Sequence, residues 1–182
     1  MTAERNALTS NQMLLGLAAA AAVGLAVYIG ITLLSHLLEL GVASLVFGEK
    51  WTTPPILQIV LLYLILGLPL SFALSVAIGL PIWRRAESRT LRSGRHAAKL
   101  GAMAGAIIGL LVVAFGFLMG LLTYLDANAS FSKWIWGYQV REDGLPTLVG
   151  WAFEIVNVAC FTLAGSAGGL AARWAVLPRA RT

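Results

Sequence analysis

Four long apolar runs, separated by shorter stretches that hold most of the charge, set the pattern of this chain. They cover residues 13–35, 56–83, 97–124 and 146–174. Each is longer than the roughly 20 apolar residues that carry an α-helix across a bilayer. The pattern predicts an all-α integral membrane bundle of four transmembrane helices, a single transmembrane domain over residues 1–182. The first run is alanine-rich and near the start, as in a signal peptide. Its apolar core is too long for one, and the lead of residues 1–12 has no net positive charge, so an uncleaved span is expected.

Between the first two runs, HLLELGVASLVFGEKW carries an approximate helical stripe at Leu37, Leu38, Val42, Leu45 and Val46. It is too short and too charged at its ends to cross again. It reads as an interfacial helix or a continuation of the first span, ended by Pro54-Pro55. The second run holds two matching phrases, LGLPL around Pro69 and IGLPI around Pro81. A proline removes one backbone hydrogen bond, which predicts a kink near Pro69, while Pro81 is placed to end the helix.

Charge sets the direction of threading. The hairpin of residues 84–99 holds Arg84, Arg85, Arg89, Arg92, Arg95 and Lys99 against one acid, Glu87. Such clusters stay on the cytoplasmic side. Together with Arg173, Arg179 and Arg181 they oppose an outer set of Lys50, Lys133 and Arg141, which is outnumbered by Glu39, Glu49, Asp126, Glu142 and Asp143. Both termini are therefore expected inside. The tryptophans agree: Trp51, Trp134, Trp136 and Trp151 fall at one border, Trp83 and Trp174 at the other. Composition supports lipid as the solvent. Only 12% of the residues are charged and mean hydropathy is +0.83, against about 25% charged in a soluble domain.

The connection at residues 125–145 is predicted as an aromatic outer loop. Phe131, Trp134 and Tyr138 lie at i, i+3 and i+7, an interfacial anchor. Asn128-Ala129-Ser130 matches a glycosylation acceptor. The fourth span opens with Pro146 in a first-turn position.

Small residues at four-residue spacing mark close helix contacts. Gly16, Ala20 and Gly24 form one such seam, and Gly101, Gly105 and Gly109 a second. Gly116 with Gly120 and Gly165 with Gly169 add further steps. With three other spans competing for the groove, contacts within the chain are favoured over a dimer seam.

Candidate chemistry is sparse. Glu154 is the acid within a span, and Asn157 shares its helix face. Ionisable groups in the bilayer usually face a bundle interior and mark pathways or pairs. Thr32, Ser35, His36, Gln58, Tyr63, Thr123 and Tyr124 fall near the same depth. A hydrogen-bonded network around Glu154 is the favoured reading, with a proton or cation site as the alternative. The arginines at 84, 85, 89, 92 and 95 could hold anionic lipid or a partner. Cys160 is alone and His36 and His96 lie on opposite sides, so neither a disulfide nor a metal set is expected, and no cofactor. No P-loop, GxGxxG, GxSxG or HExxH motif occurs. The basic hairpin lacks aromatic interleaving, which argues against nucleic acid.

The segment from Gly79 through Gly109, GLPIWRR followed by KLGAMAGAIIG, resembles a pattern seen in uncharacterised small four-span bacterial inner-membrane proteins. The resemblance implies topology and location and brings no activity. The expected function is a non-enzymatic accessory or scaffold subunit of a membrane complex, or a lipid-associated protein, with a membrane-protein partner or a second copy beside it. The alternative is a small oligomeric transporter or channel component using Glu154 and Asn157.

Overall fold

A computed structural model describes residues 10–47, 56–86, 93–126 and 130–176. Four helices dominate it. Helix α1 spans Ser10–Phe47, α2 covers residues 56–86, α3 spans Gly94–Leu125 and α4 spans Leu148–Val176. Stretches of all four, Ser10–Gly41, Ile56–Arg84, Gly94–Leu125 and Leu148–Val176, are long and apolar enough to cross a membrane. Large apolar side chains point outward on every one of them, among them Leu34, Ile65, Phe115 and Leu163. A helix that is apolar on all sides is a membrane span or a helix buried in a large core.

The stripe at residues 36–47 belongs to α1, which runs on unbroken past the first apolar run to Phe47. At 1.5 Å per residue α1 is about 57 Å long, well beyond a hydrocarbon core of about 30 Å. Lys50, Trp51 and Pro54-Pro55 lie outside the described residues.

Neither proline stops α2. The helix consists of α-helical pieces Ile56–Leu62, Leu68–Leu74 and Leu80–Ala86 joined by π turns at Tyr63–Gly67 and Ser75–Gly79. Each π turn ends two residues before a proline. The carbonyls that Pro69 and Pro81 would crowd belong to Ile65 and Ala77, and both lie inside the widened turns. The helix absorbs each proline by widening, so Pro81 does not end it.

Helix α4 is the centre of the bundle, packed on α3 along one side and α1 along another. Helix α2 lies on α1 with residues 68–79 and meets α3 mainly with residues 75–86. The fold thus consists of a close slab of α1, α4 and α3 with α2 laid against it.

The connection between α3 and α4 departs from the predicted aromatic loop. It forms a three-stranded antiparallel sheet of β1 (Lys133–Ile135), β2 (Tyr138–Glu142) and β3 (Leu145–Pro146), in that order. Both turns have two central residues with positive φ, Trp136 (54°) with Gly137 (76°) and Asp143 (47°) with Gly144 (86°). This is the signature of type I′ hairpins, whose twist matches that of the flanking strands. Phe131, Trp134, Trp136 and Tyr138 are exposed as an anchor would require, but the lead into β1, the strands and a turn present them instead of a helix face. Asn128 lies outside the described residues.

Pro146 also departs from its expected place. It closes β3 opposite Arg141, on an edge where no donor is needed. The cap of α4 is Thr147, whose hydroxyl accepts the Gly150 N–H at 3.1 Å.

Candidate functional site

Register on β2 decides how the sheet meets the helices. Lys133 pairs with Arg141 and Trp134 with Gln139, so Val140 is an extra residue in β2. A bulge of this kind re-aims side chains. Here the consecutive residues Val140 and Arg141 both turn onto the helices. Val140 is buried, and its carbonyl accepts the Thr147 N–H at 3.1 Å. Arg141 reaches between α3 and α4. Its Nη1 donates to the carbonyls of Gly116 (2.9 Å) and Gly144 (3.3 Å), and its Nη2 donates to Glu154 Oε1 at 2.7 Å. The two side chains of the ion pair are 17% and 19% exposed. Gly116 and Gly120 make this possible: side chains there would crowd the Arg141 guanidinium, and at Gly120 the Gly144 carbonyl as well. These two glycines therefore receive the sheet and not another helix.

Glu154 and Asn157 turn to different neighbours. Glu154 faces Arg141, whereas Asn157 Oδ1 accepts the Tyr28 hydroxyl from α1 at 3.2 Å. Tyr28 stacks on Phe161 with ring centroids 4.5 Å apart and meets Tyr63 edge-on at 6.3 Å. Thr32 and Thr123 donate to carbonyls of their own helices, at Tyr28 and Met119. Ser35, Gln58 and Tyr124 are exposed. His36 lies 3.5 Å from Glu39, which also accepts the backbone N–H of Trp136 at 3.2 Å. The extension of α1 thereby holds the tip of the first hairpin. Of the polar groups placed by sequence near Glu154 and Asn157, Tyr63 and Thr32 join this part of the bundle, both beside Tyr28.

The seam between α3 and α4 is built from glycine on both sides. A Cβ at Gly101 would overlap the Gly165 carbonyl, one at Gly105 the Phe161 carbonyl, and one at Gly169 the Ala97 carbonyl. At Gly109 it would lie 3.1 Å from Val158 Cα. The backbones therefore meet directly. A second seam joins α1 to α4, where a Cβ at Gly168 would lie 2.7 Å from the Ala20 carbonyl and one at Gly24 lies 3.3 Å from that of Ala164. Gly16 faces the Trp83 ring of α2 and Val176.

Opposite the sheet lies a basic end, where α2 finishes and α3 begins. Arg84 is exposed in the last turn of α2 and Arg95 is exposed in the first turn of α3. Arg85 continues α2, and Arg89 and Arg92 lie outside the described residues. Arg173, in the last turn of α4, approaches the start of α3 at Gly94.

Within the bundle is a cavity of about 270 Å³. Ala20, Gly24, Ala164 and Gly168 belong to its floor, and Leu74 of α2 and Ile108 of α3 stand on opposite walls. Tyr28 and Tyr63 line it toward the sheet, Trp83 and Arg173 at the basic end.

No protein-family model, curated protein or solved structure matches the chain.

The chemistry of these sites therefore rests on their own geometry. Sequence reasoning counted Arg141 only as an outer charge and Trp83 only as a border aromatic, and passed over Tyr28. The role of Arg141 could have been found from Asp143-Gly144, a strong hairpin signal that places the arginine in a strand beside the fourth apolar run. Tyr28 and Trp83 carry no comparable sign, because their roles depend on which faces the helices turn inward.

Proposed function

We propose that this is a four-span integral membrane protein of a bacterial inner membrane, with both termini cytoplasmic, that acts as a non-enzymatic, lipid-associated scaffold or accessory subunit. One observation carries the reading. Three helices close on one another through backbone contacts at glycine, while α2 leans on the slab and leaves an apolar cavity between its wall and that of α3. Rigid packing on one side and an unfilled apolar space on the other suit a protein that holds a hydrophobic companion within the bilayer. The sheet, tied down by Arg141, closes the outer end and presents its aromatic residues at headgroup depth.

The alternative of a transporter or channel component would use Glu154 and Asn157. Its support is a carboxylate inside a span. Against it stand the 2.7 Å bond that makes Glu154 half of a neutral pair and the separate partner of Asn157.

Extraction in mild detergent, with the native mass and all co-purifying molecules determined, tests the reading. Single cysteines at positions 90 and 133, in a Cys160→Ala background, test the topology by labelling from either side. The expected result is a stoichiometric partner or retained lipid, with position 90 labelled from the cytoplasm and position 133 from outside. A lone chain free of both, or recovery of the protein in the aqueous fraction without detergent, overturns it.

A further inference from the structure

The cavity has the features of a ligand site for one chemical class. Close-packed interiors leave few voids larger than a water molecule. A space of about 270 Å³ is nearly twice the ~150 Å³ apolar cavity that stays dry and takes up benzene. Its floor is smooth, because the α1–α4 seam that forms it consists of alanine and glycine. Its walls do not close evenly. Helix α2 meets α3 chiefly with residues 75–86, so the stretch of α2 from Tyr63 to Leu74 stands off from Ala104, Ile108 and Val112 of α3. The space is therefore a groove that runs along the helices and opens sideways between α2 and α3.

The basic end of the groove is polar in a specific way. Trp83 lines it and is 8% exposed, and its indole N–H has no hydrogen-bond partner among the described residues. A buried donor left unpaired costs about 1–3 kcal/mol, and such a group calls for an acceptor. Arg173 lines the same end, with its guanidinium beside Gly94 at the start of α3. There the N–H groups of His96 and Ala97 are already bonded to the Ser93 carbonyl and the Ser93 side chain caps nothing, which leaves the N–H groups of Gly94 and Arg95 to meet an anion. The first N–H groups of a helix have no intrahelical partner and favour an anion. Donors of three kinds, an indole, a guanidinium and a helix N-terminus, thus gather where an apolar groove ends.

We propose that the groove between α2 and α3 binds an anionic phospholipid, its acyl chain along the alanine–glycine floor and its phosphate at the basic end among Arg173, the first turn of α3 and the Trp83 N–H. This rests on the reading of the chain as a membrane protein. Anionic headgroups match the charge of this end, since Arg84 and Arg95 flank it and residues 84–99 carry six Lys/Arg against Glu87. Basic pockets between helices on the cytoplasmic side are where such headgroups bind.

The test uses the full chain, purified in detergent, with native mass spectrometry after addition of dioleoyl phosphatidylglycerol or dioleoyl phosphatidylcholine. The wild type is expected to retain one phosphatidylglycerol at least about tenfold more readily than phosphatidylcholine. Arg173→Gln should weaken retention about fivefold, the effect of one basic group at an anionic surface, and Trp83→Phe about fivefold, the effect of one lost hydrogen bond. Ala104→Phe, which fills the groove from the α3 wall, should abolish it. Equal retention of both lipids, or retention unchanged in Trp83→Phe and Arg173→Gln, overturns the proposal. Arg173→Gln leaves the glycine seams untouched, so the test stands even where Trp83→Phe or Ala104→Phe does not fold. The same preparation separates this failure from that of the wider reading. A protein that needs detergent but has no lipid preference loses the groove proposal alone, whereas one recovered without detergent loses both.

Discussion

Replacing Arg141 separates the sheet from the helices, and the cost can be worked from its contacts. The ion pair with Glu154 is about four-fifths buried, at 17% and 19% exposure. Removing one partner of a fully buried pair costs about 3–5 kcal/mol, and exposed pairs are worth under about 1 kcal/mol. An intermediate value of about 2–3 kcal/mol is expected for the coupling between these two groups. Arg141 also donates to the carbonyls of Gly116 and Gly144, each bond adding about 1 kcal/mol net. Arg141→Met should therefore destabilise more than Glu154→Gln, which leaves the two carbonyl bonds in place. A double-mutant cycle of Arg141→Met, Glu154→Gln and the pair, read by reversible unfolding in detergent, should return that coupling of about 2–3 kcal/mol. Hydrogen exchange adds a local readout. In Arg141→Met the amides of residues 133–142 should lose protection while those at the centres of α3 and α4 keep theirs. Additive single effects, with coupling below about 0.5 kcal/mol, or an unchanged sheet, would refute the assignment of Arg141 as the link.

The glycine seams give a paired prediction. Gly101→Ala pushes a Cβ into the Gly165 carbonyl and should cost about 1–3 kcal/mol, whereas Gly30 has nothing within 4 Å and Gly30→Ala should leave thermal unfolding unchanged or raised; equal midpoints for the two would dismiss the seam. Thr147→Ala removes the cap that accepts the Gly150 N–H, and should cost about 1 kcal/mol, with faster exchange at that amide as the specific sign.

The helices were legible because a long run without charge is enough to mark a helix that could cross a membrane. The glycine steps at 101, 105 and 109 were legible for a similar reason, since only glycine lets two backbones meet, and they lie against α4. The sheet was not read. Its strands are two to five residues long, and the spacing of Phe131, Trp134 and Tyr138 imitates a helix face. Trp136 hid the first turn, because a bulky side chain at positive φ is rarely chosen there. The link between Arg141 and Glu154 depends on a bulge that moves the register by one residue at Val140. Counting charges on either side of a membrane treats Arg141 as one unit of topology and is blind to its partner.

The widened turns in α2 have a consequence for aim. A π turn takes up one residue more than an α-helix would, which turns the chain beyond it by about 100° about the helix axis. Two such turns add to roughly 200°, so residues 80–86 present the side that a straight helix would have turned away. Trp83, nine-tenths buried against Leu17 and Ala172, lies in that rotated piece. Pro69 and Pro81 touch neither of these residues by sequence position, yet they determine which way the last turns of α2 face. Two prolines thereby act as a setting on the azimuth of the helix, and the tryptophan is the pointer that they turn inward.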